Sequence, residues 1–485
     1  MFLSDTGYRY ATNLFIRLLG GIYLIAFYSL WTQIHGLIGA QGILPVAEML
    51  DPAARGLNTG LFLKAPSLLW WFHGDFALNV FCVVGLLFSV MLIAGWMPVI
   101  SCIVLWMLYL SLTIGAQIFL GYQWDNLLLE AGLLGVLVSP PVMRSRPATN
   151  PEPPRAAVFL LYWLLFRLMF AAGFVKLASG DPSWMDFTAM MYHPWTQPLP
   201  AWTAWYFHQL PETAIKISTG VVLFVELAAP FLMFTTRRLR TVAFIMLVFL
   251  QVMIAATGNF GFFNLLTTAL CVMLLDDLWF ENDNTEDPAV IPLWLRNFLS
   301  VPAIPLAAVI VVVSSIQFFA QLFRVEELPK PFPAIVSSVA PFRSINNYGL
   351  FASMTKSRPE IIIEGSRDGA EWRAYEFKYK PGDTRHAPGM IAPHMPRLDW
   401  QMWFAALGHY TQNRWLFSFM SRLLDGSTDV LDLLETNPFG SEPPRYLRAV
   451  LYDYRFATPE ERADKRVWWT RELKGLYAPV MSRGL

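Results

Sequence analysis

Over roughly the first two-thirds of the chain, apolar residues gather in runs of about twenty, the length that carries a helix across a hydrocarbon core. These runs predict nine membrane spans, near 11–38, 78–97, 99–119, 121–140, 156–178, 214–235, 239–257, 260–279 and 302–323. Pro98 marks a tight turn between the second and third, because proline opens a helix more readily than it continues one. Pro140-Pro141 and the prolines between Pro151 and Pro154 bound a loop carrying Arg144, Arg146 and Arg155, and a second basic loop holds Arg237, Arg238 and Arg240. An excess of Lys and Arg marks cytoplasmic loops. An even number of spans separates the two loops, so both fit that face. The N-terminus is then cytoplasmic and the C-terminal region exoplasmic. Segments 39–77 and 179–213 fall on the outer face too, where Trp70, Trp71, Trp184, Trp195, Trp202 and Trp205 suit the headgroup zone. A polar, Asn/Asp-rich inner loop is expected at 281–300.

Beyond about residue 324 the pattern changes from long apolar runs to charge, proline and short alternation. Glu360-Ile-Ile-Ile-Glu364, a turn around Asp368-Gly369, and 372–379 with Tyr375, Phe377 and Tyr379 on one face predict a β-hairpin. Residues 446–456 predict a further strand, and 400–407, 415–424 and 428–435 short helices. The expected architecture is an α-helical multi-pass membrane bundle over 1–323, followed by a β-rich (α+β) exoplasmic domain over 324–485.

Composition agrees. The 485 residues are 55% hydrophobic and only 15% charged, against about 25% charged in soluble domains, and mean hydropathy is +0.42. A net charge of zero removes the basic footprint that nucleic-acid binding needs. Cys82, Cys102 and Cys271 all lie in apolar runs without a Cys-x-x-Cys pair, which argues against thiol redox chemistry and disulfide stapling. No Asn-x-Ser/Thr acceptor occurs. The expected site is therefore a bacterial inner membrane with a periplasmic C-terminal domain, or the endoplasmic reticulum membrane in a eukaryote. The N-terminus lacks a short apolar core with a small-residue cleavage site, so the first span is expected to stay as an anchor.

The chemistry-bearing residues are the charges inside these runs. A carboxylate in hydrocarbon costs roughly 3 kcal/mol even on the lenient insertion scale, so Glu130 needs a partner. Gln123, Asn126 and Glu130 recur at i, i+3 and i+7 and share one helical face. Asp125 points away from it and reads as a helix cap at the interface. Arg167 and Glu226, in the middle of spans five and six, read as an ion pair at one depth. Lys176 closes span five, either as an interfacial anchor or, desolvated in a cavity, as a base. Arg167 and Lys176 are the candidate partners for Glu130, and bracing the bundle and lining a pocket both stand as its role. Arg17 is expected to snorkel to the inner interface. The histidines lack metal-ligand spacing, so no metal is expected. In the outer domain, Trp400 and Trp403 share a face of a helix that Arg397 and Asp399 orient as a local pair; this block reads as a client or interdomain surface.

Several blocks resemble the lipase maturation factors: Gly121-Tyr-Gln-Trp-Asp-Asn-Leu-Leu-Leu-Glu-Ala-Gly132, Asn347-Tyr-Gly-Leu-Phe351, Arg358-Pro-Glu-Ile-Ile-Ile-Glu-Gly365, Tyr375-Glu-Phe-Lys-Tyr-Lys-Pro-Gly382 and Ala392-Pro-His-Met-Pro-Arg-Leu-Asp-Trp-Gln-Met-Trp403. The resemblance implies a multi-pass membrane protein that helps secreted lipases, or other exported clients, to fold and assemble. It also implies that the C-terminal domain engages those clients on the exoplasmic side. The chain shows no complete catalytic set, so a non-enzymatic factor is the first reading, with no cofactor expected beyond a bound lipid. The segment Ala172-Gly-Phe-Val-Lys-Leu177 with Trp184 is similar to part of the vitamin K-dependent γ-carboxylases, where a lysine at the position of Lys176 acts as base. Where those enzymes carry an Asn-His pair, this chain has Asp125-Asn126. The alternative this second resemblance raises is a membrane enzyme acting on a lipid or quinone-like molecule in a cavity lined by Gln123, Asn126, Glu130 and Lys176.

Overall fold

The computed structural model describes residues 7–54, 60–280, 293–325 and 327–483; part of the expected inner loop, 281–292, lies outside them. The bundle consists of α1 (Arg9–Trp31), α2 (Asp75–Ala94), α3 (Pro98–Gly115), α4 (Gln123–Val138), α5 (Arg155–Ala178), α6 (Glu212–Leu232), α7 (Arg237–Thr257), α8 (Phe263–Val272) and α9 (Leu293–Leu322). Seven of these are long and apolar enough to cross a membrane. The expected fourth and eighth spans are shorter, 16 residues in α4 and ten in α8, or about 24 and 15 Å at helical rise. Most of their side chains are buried in the bundle. A helix packed by other helices does not have to match the hydrocarbon thickness.

The expected turn at Pro98 has a clear mechanism. Gly95 ends α2 in the left-handed region (φ +75), which lets the Gly95 and Trp96 amides reach back to the carbonyls of Leu92 and Met91. Pro98 then opens α3, where a missing N–H costs nothing. Elsewhere helices touch through small residues, as in membrane bundles generally. A Cβ on Gly132 of α4 would sit 1.9 Å from Tyr23 Oη of α1.

The two ends of the bundle differ. At one, Arg9 pairs with Glu152 at 2.8 Å, the Arg9 and Tyr10 amides donate to Asp277, and Arg240 pairs with Asp276 at 2.6 Å. Arg17, partly exposed, reaches the loop at this end through the Ser145 carbonyl at 3.3 Å. It donates to the Ile93 carbonyl at 2.7 Å and to Asn13 Oδ1 at 2.9 Å, because the end of α2 places an unsatisfied carbonyl within its reach.

The C-terminal domain docks on the other end. Its antiparallel sheet has the order β2-β1-β3-β4, from β1 (Arg358–Ser366), β2 (Arg373–Tyr375), β3 (Tyr446–Phe456) and β4 (Trp469–Ser482). The hairpin register is Ile363 opposite Tyr375, and Asp368 organises its turn. Asp368 Oδ1 accepts the Ala370 and Glu371 amides and the Ser366 hydroxyl; these bonds hold its carboxyl down at about 2. The helices α10 (Arg397–Ala406) and α11 (Arg414–Asp425), with the single turn Thr428–Leu431, fill the expected helical stretches. The sequence reading misses β4. It is an edge strand, largely exposed, and its run of Arg471, Glu472 and Lys474 hides the alternation.

Docking is polar. Asn259 Oδ1 accepts the Ile391 and Ala392 amides, Ser29 and Gln33 hold Met395 and the Arg397 amide, and Tyr122 Oη donates to Gln401. At the centre, Arg397 forms a two-pronged bond to Asp125 at 2.6 and 2.8 Å, and Tyr109 Oη completes that carboxylate at 2.5 Å. Asp125 is thus no interfacial cap; it is fully buried. Arg397 does not pair with Asp399, whose Oδ1 accepts the Tyr379 and Lys380 amides at 3.0 and 2.9 Å. Gly36 marks the closest backbone approach, where a Cβ would lie 2.4 Å from the Asp429 carbonyl oxygen.

Two outcomes follow. Arg397→Met strands a buried carboxylate and lowers stability by about 3–5 kcal/mol, whereas Arg397→Met with Asp125→Leu recovers most of the loss; thermal unfolding in detergent reads both. Burial raises the Asp399 carboxyl to about 6 against its two amide bonds. Its folded value exceeds the unfolded value of about 3.9, so its contribution is complete below pH 4 and is lost as pH rises through 6. Asp399→Asn, which keeps the acceptor oxygen, removes that slope of about 2–3 kcal/mol from the pH–stability curve.

Candidate functional site

The polar face of α4 is real, and its partner is a piece of chain far away in sequence. The segment 346–349, which follows α9, lies along Gln123, Asn126 and Glu130. Gln123 Oε1 accepts the Gly349 amide at 3.2 Å and the Asn126 carbonyl accepts Asn346 Nδ2 at 3.3 Å. Glu130 Oε2 accepts the Asn346 amide at 3.1 Å and Tyr348 Oη at 2.7 Å, while Oε1 takes Arg167 Nη2. Arg167 Nη1 closes the ring on the Asn346 carbonyl at 2.8 Å. Both charges are almost wholly buried. A carboxylate with this many donors needs no water.

Arg167 therefore pairs with Glu130 and not with Glu226. Glu226 pairs with Lys176, whose Nζ donates to both carboxylate oxygens at 2.8 and 2.7 Å and to the Ala172 carbonyl at 3.2 Å. The reason is depth. Three short helices, Pro182–Met185, Ala189–Thr196 and Trp202–His208, separate α5 from α6, so no tight turn sets their register. A Cβ on Gly173 would lie 2.9 Å from Glu226 Cβ, which puts Glu226 level with Gly173, well past Arg167. The ammonium of Lys176 also sits 5.3 Å from the centre of the Trp184 ring.

Beside this second pair lies a cavity of about 420 Å³, within the range of small-molecule sites. Gln123, Lys176 and Glu226 line it together with His193, Gln251 and Phe260. Asn126 and Glu130 are not in its wall; segment 346–349 covers them. The ring of His193 is parallel to Phe260 and edge-on to Phe351 at 4.6 Å. Burial, with Lys176 nearby, pushes it down to about 4, so it is neutral at physiological pH. Sequence reading set His193 aside because it lacks ligand spacing, and Gln251 carried no signal at all. Among the described residues no group of three His, Cys, Asp or Glu side chains converges as a metal site would.

The outer block is turned inward. Trp403 Nε1 donates to the Thr196 carbonyl at 3.0 Å, and Trp400 packs edge-on against Trp124 with centroids 4.7 Å apart. With Arg397 and Asp399 also buried, this block is an interdomain surface. Arg358 does the same work from β1. It donates to the Trp195, Gln197 and Pro198 carbonyls and pairs with Glu360 at 2.9 Å.

Comparison with known proteins places this geometry in a family. Residues 10–282 match the lipase maturation factor transmembrane domain and 344–479 the lipase maturation factor C-terminal domain. The chain is 34% identical to lipase maturation factor 2 of Xenopus laevis, across 96% of this chain and 81% of the relative. It is 36% identical to lipase maturation factor 2 of Gallus gallus, across 98% and 82%, and 33% identical to lipase maturation factor 1 of Mus musculus, across 96% and 86%. No solved structure matches it. With both family domains present in order and relatives 33–36% identical over most of its length, the chain is a multi-pass membrane protein of the lipase maturation factor family.

Proposed function

We propose that the protein is a maturation factor for exported lipases or similar secreted enzymes, with the C-terminal domain engaging its clients on the exoplasmic side of the membrane. Family membership supports the role. One structural observation carries the client-binding part: the C-terminal domain is locked to the bundle end remote from the two basic loops, through Asp125–Arg397, and this leaves its sheet edge free. That arrangement supports a fixed platform that meets partly folded chains as they leave the membrane.

The 392–403 block is committed to the interdomain joint, so the client surface lies elsewhere on the domain. The outer edge of β4 is the best supported place. Among the described residues no strand pairs with that edge, and Leu473, Leu476 and Val480 are exposed along it. An unpaired edge offers backbone hydrogen bonds to an extended segment, and neighbouring apolar side chains add affinity. Lys176, with each ammonium N–H engaged, serves here as an architectural residue.

Deleting the gene is expected to lower the specific activity of secreted lipase several-fold while leaving its synthesis unchanged, and wild-type chain restores it. Leu473→Asp with Leu476→Asp fails to restore it although the protein accumulates normally. Paired Lys176→Met with Glu226→Leu, which removes both buried charges, restores it. Normal lipase activity in the deletion strain overturns the role, and full rescue by the β4 variant overturns the surface. Orientation has its own test, because the three native cysteines are buried. Glu472→Cys is expected to react with an impermeant maleimide in intact cells or vesicles of native sidedness, and Arg238→Cys only after permeabilisation.

A further inference from the structure

The cavity beside Lys176 and Glu226 has three features that a packing defect lacks. First, it opens sideways. Ile217 and Val221 on α6 and Phe249 and Met253 on α7 line it, and all four are exposed on helices that cross the membrane. Its mouth therefore opens on the outward face of α6 and α7, the face that such helices turn to acyl chains. Second, its walls are apolar, with Leu168, Met169 and Ile254 among them. Third, its inner end holds polar groups that lack full partners. Among the described residues, His193 Nδ1 is out of reach of solvent and has no hydrogen-bond partner. Gln251 is 4% exposed. Its Oε1 accepts Asn264 Nδ2 at 2.9 Å, but its Nε2 reaches only the thioether of Met169, 3.9 Å away.

The charges at that end cancel. Lys176 gives every N–H it has to Glu226 and Ala172, and His193 is neutral, so no free cation awaits an anionic head. Buried polar groups in native proteins are hydrogen-bonded, and those in a lipid-facing pocket find partners in what enters from the bilayer. We propose that this cavity is a binding site for an acyl lipid with an uncharged, hydroxyl- and ester-bearing head, an acylglycerol. Its chain would lie between α6 and α7, and its head would accept from Gln251 Nε2 and bond to the accessible edge of the half-buried His193 ring. The site stands apart from the client surface on β4 and from the interdomain joint.

The test is photolabelling of the full chain in phosphatidylcholine nanodiscs. A monoacylglycerol with a diazirine in its acyl chain is compared with a fatty acid and a phosphatidylcholine carrying the same chain. The monoacylglycerol is expected to label α6 and α7 peptides at the cavity wall, with unlabelled monoacylglycerol competing it away. Val222→Trp, which fills the cavity, is expected to reduce that labelling at least about fivefold. His193→Phe keeps a flat aromatic ring and removes both ring nitrogens, so the concentration needed to compete rises about tenfold while folding is preserved. Thermal unfolding of each variant separates loss of the site from loss of the fold. Equal labelling by all three probes, or labelling indifferent to both substitutions, shows ordinary boundary lipid and overturns the proposal. Preference for the fatty acid or for phosphatidylcholine overturns the uncharged head.

Discussion

A carboxylate placed in an apolar bundle must be neutralised by something close and well aimed, and this constraint organises the molecule. Asp125, Glu130 and Glu226 are each almost wholly buried, and each is met by a cation at hydrogen-bond distance. Desolvation makes an unpaired buried charge strongly destabilising. The three pairs therefore specify which segments must come together before the structure is satisfied. One cation comes from the C-terminal domain and two from α5.

The consequence is a molecule whose two domains act as one unit. Asp125 on α4 cannot remain in the bundle without Arg397 from α10, and the face that includes Glu130 is complete only when segment 346–349 lies along it. The docking residues next to them are neutral and directional: Asn259, Ser29 and Gln33 each serve backbone groups of the 391–397 stretch. Apolar contact alone would tolerate sliding. Buried bonds with fixed geometry do not, so the sheet is held in one orientation relative to the membrane.

Function divides accordingly. The polar chemistry of the intramembrane residues is spent on architecture, in closed sets of donors and acceptors. The groups left with unspent capacity lie at the outer edge of β4 and at the inner end of the cavity.

Much was legible from residue pattern alone. Apolar runs of span length, the basic loops, Pro98 and the Asp368-Gly369 hairpin are local signals, governed by the hydrophobic thickness of the bilayer or by the dihedral angles of a few neighbouring residues. The need of Glu130 for a partner was equally plain, since it follows from solvation energy. Which partner it found was not. Arg167 and Glu226 looked matched in depth, yet a 33-residue connection between α5 and α6 let Glu226 settle beside Lys176. Arg397 and Asp399 looked like a local pair, yet they face a helix of the bundle and a loop of the sheet. The length of α4 and α8, the strand β4 and the inward turn of the 392–403 block depend in the same way on what packs against them. Sequence determined which groups required compensation, because that is a property of each residue in its solvent. Tertiary structure decided who supplied it, because a chain of this length can bring almost any two segments together, and only the packed fold selects one pairing.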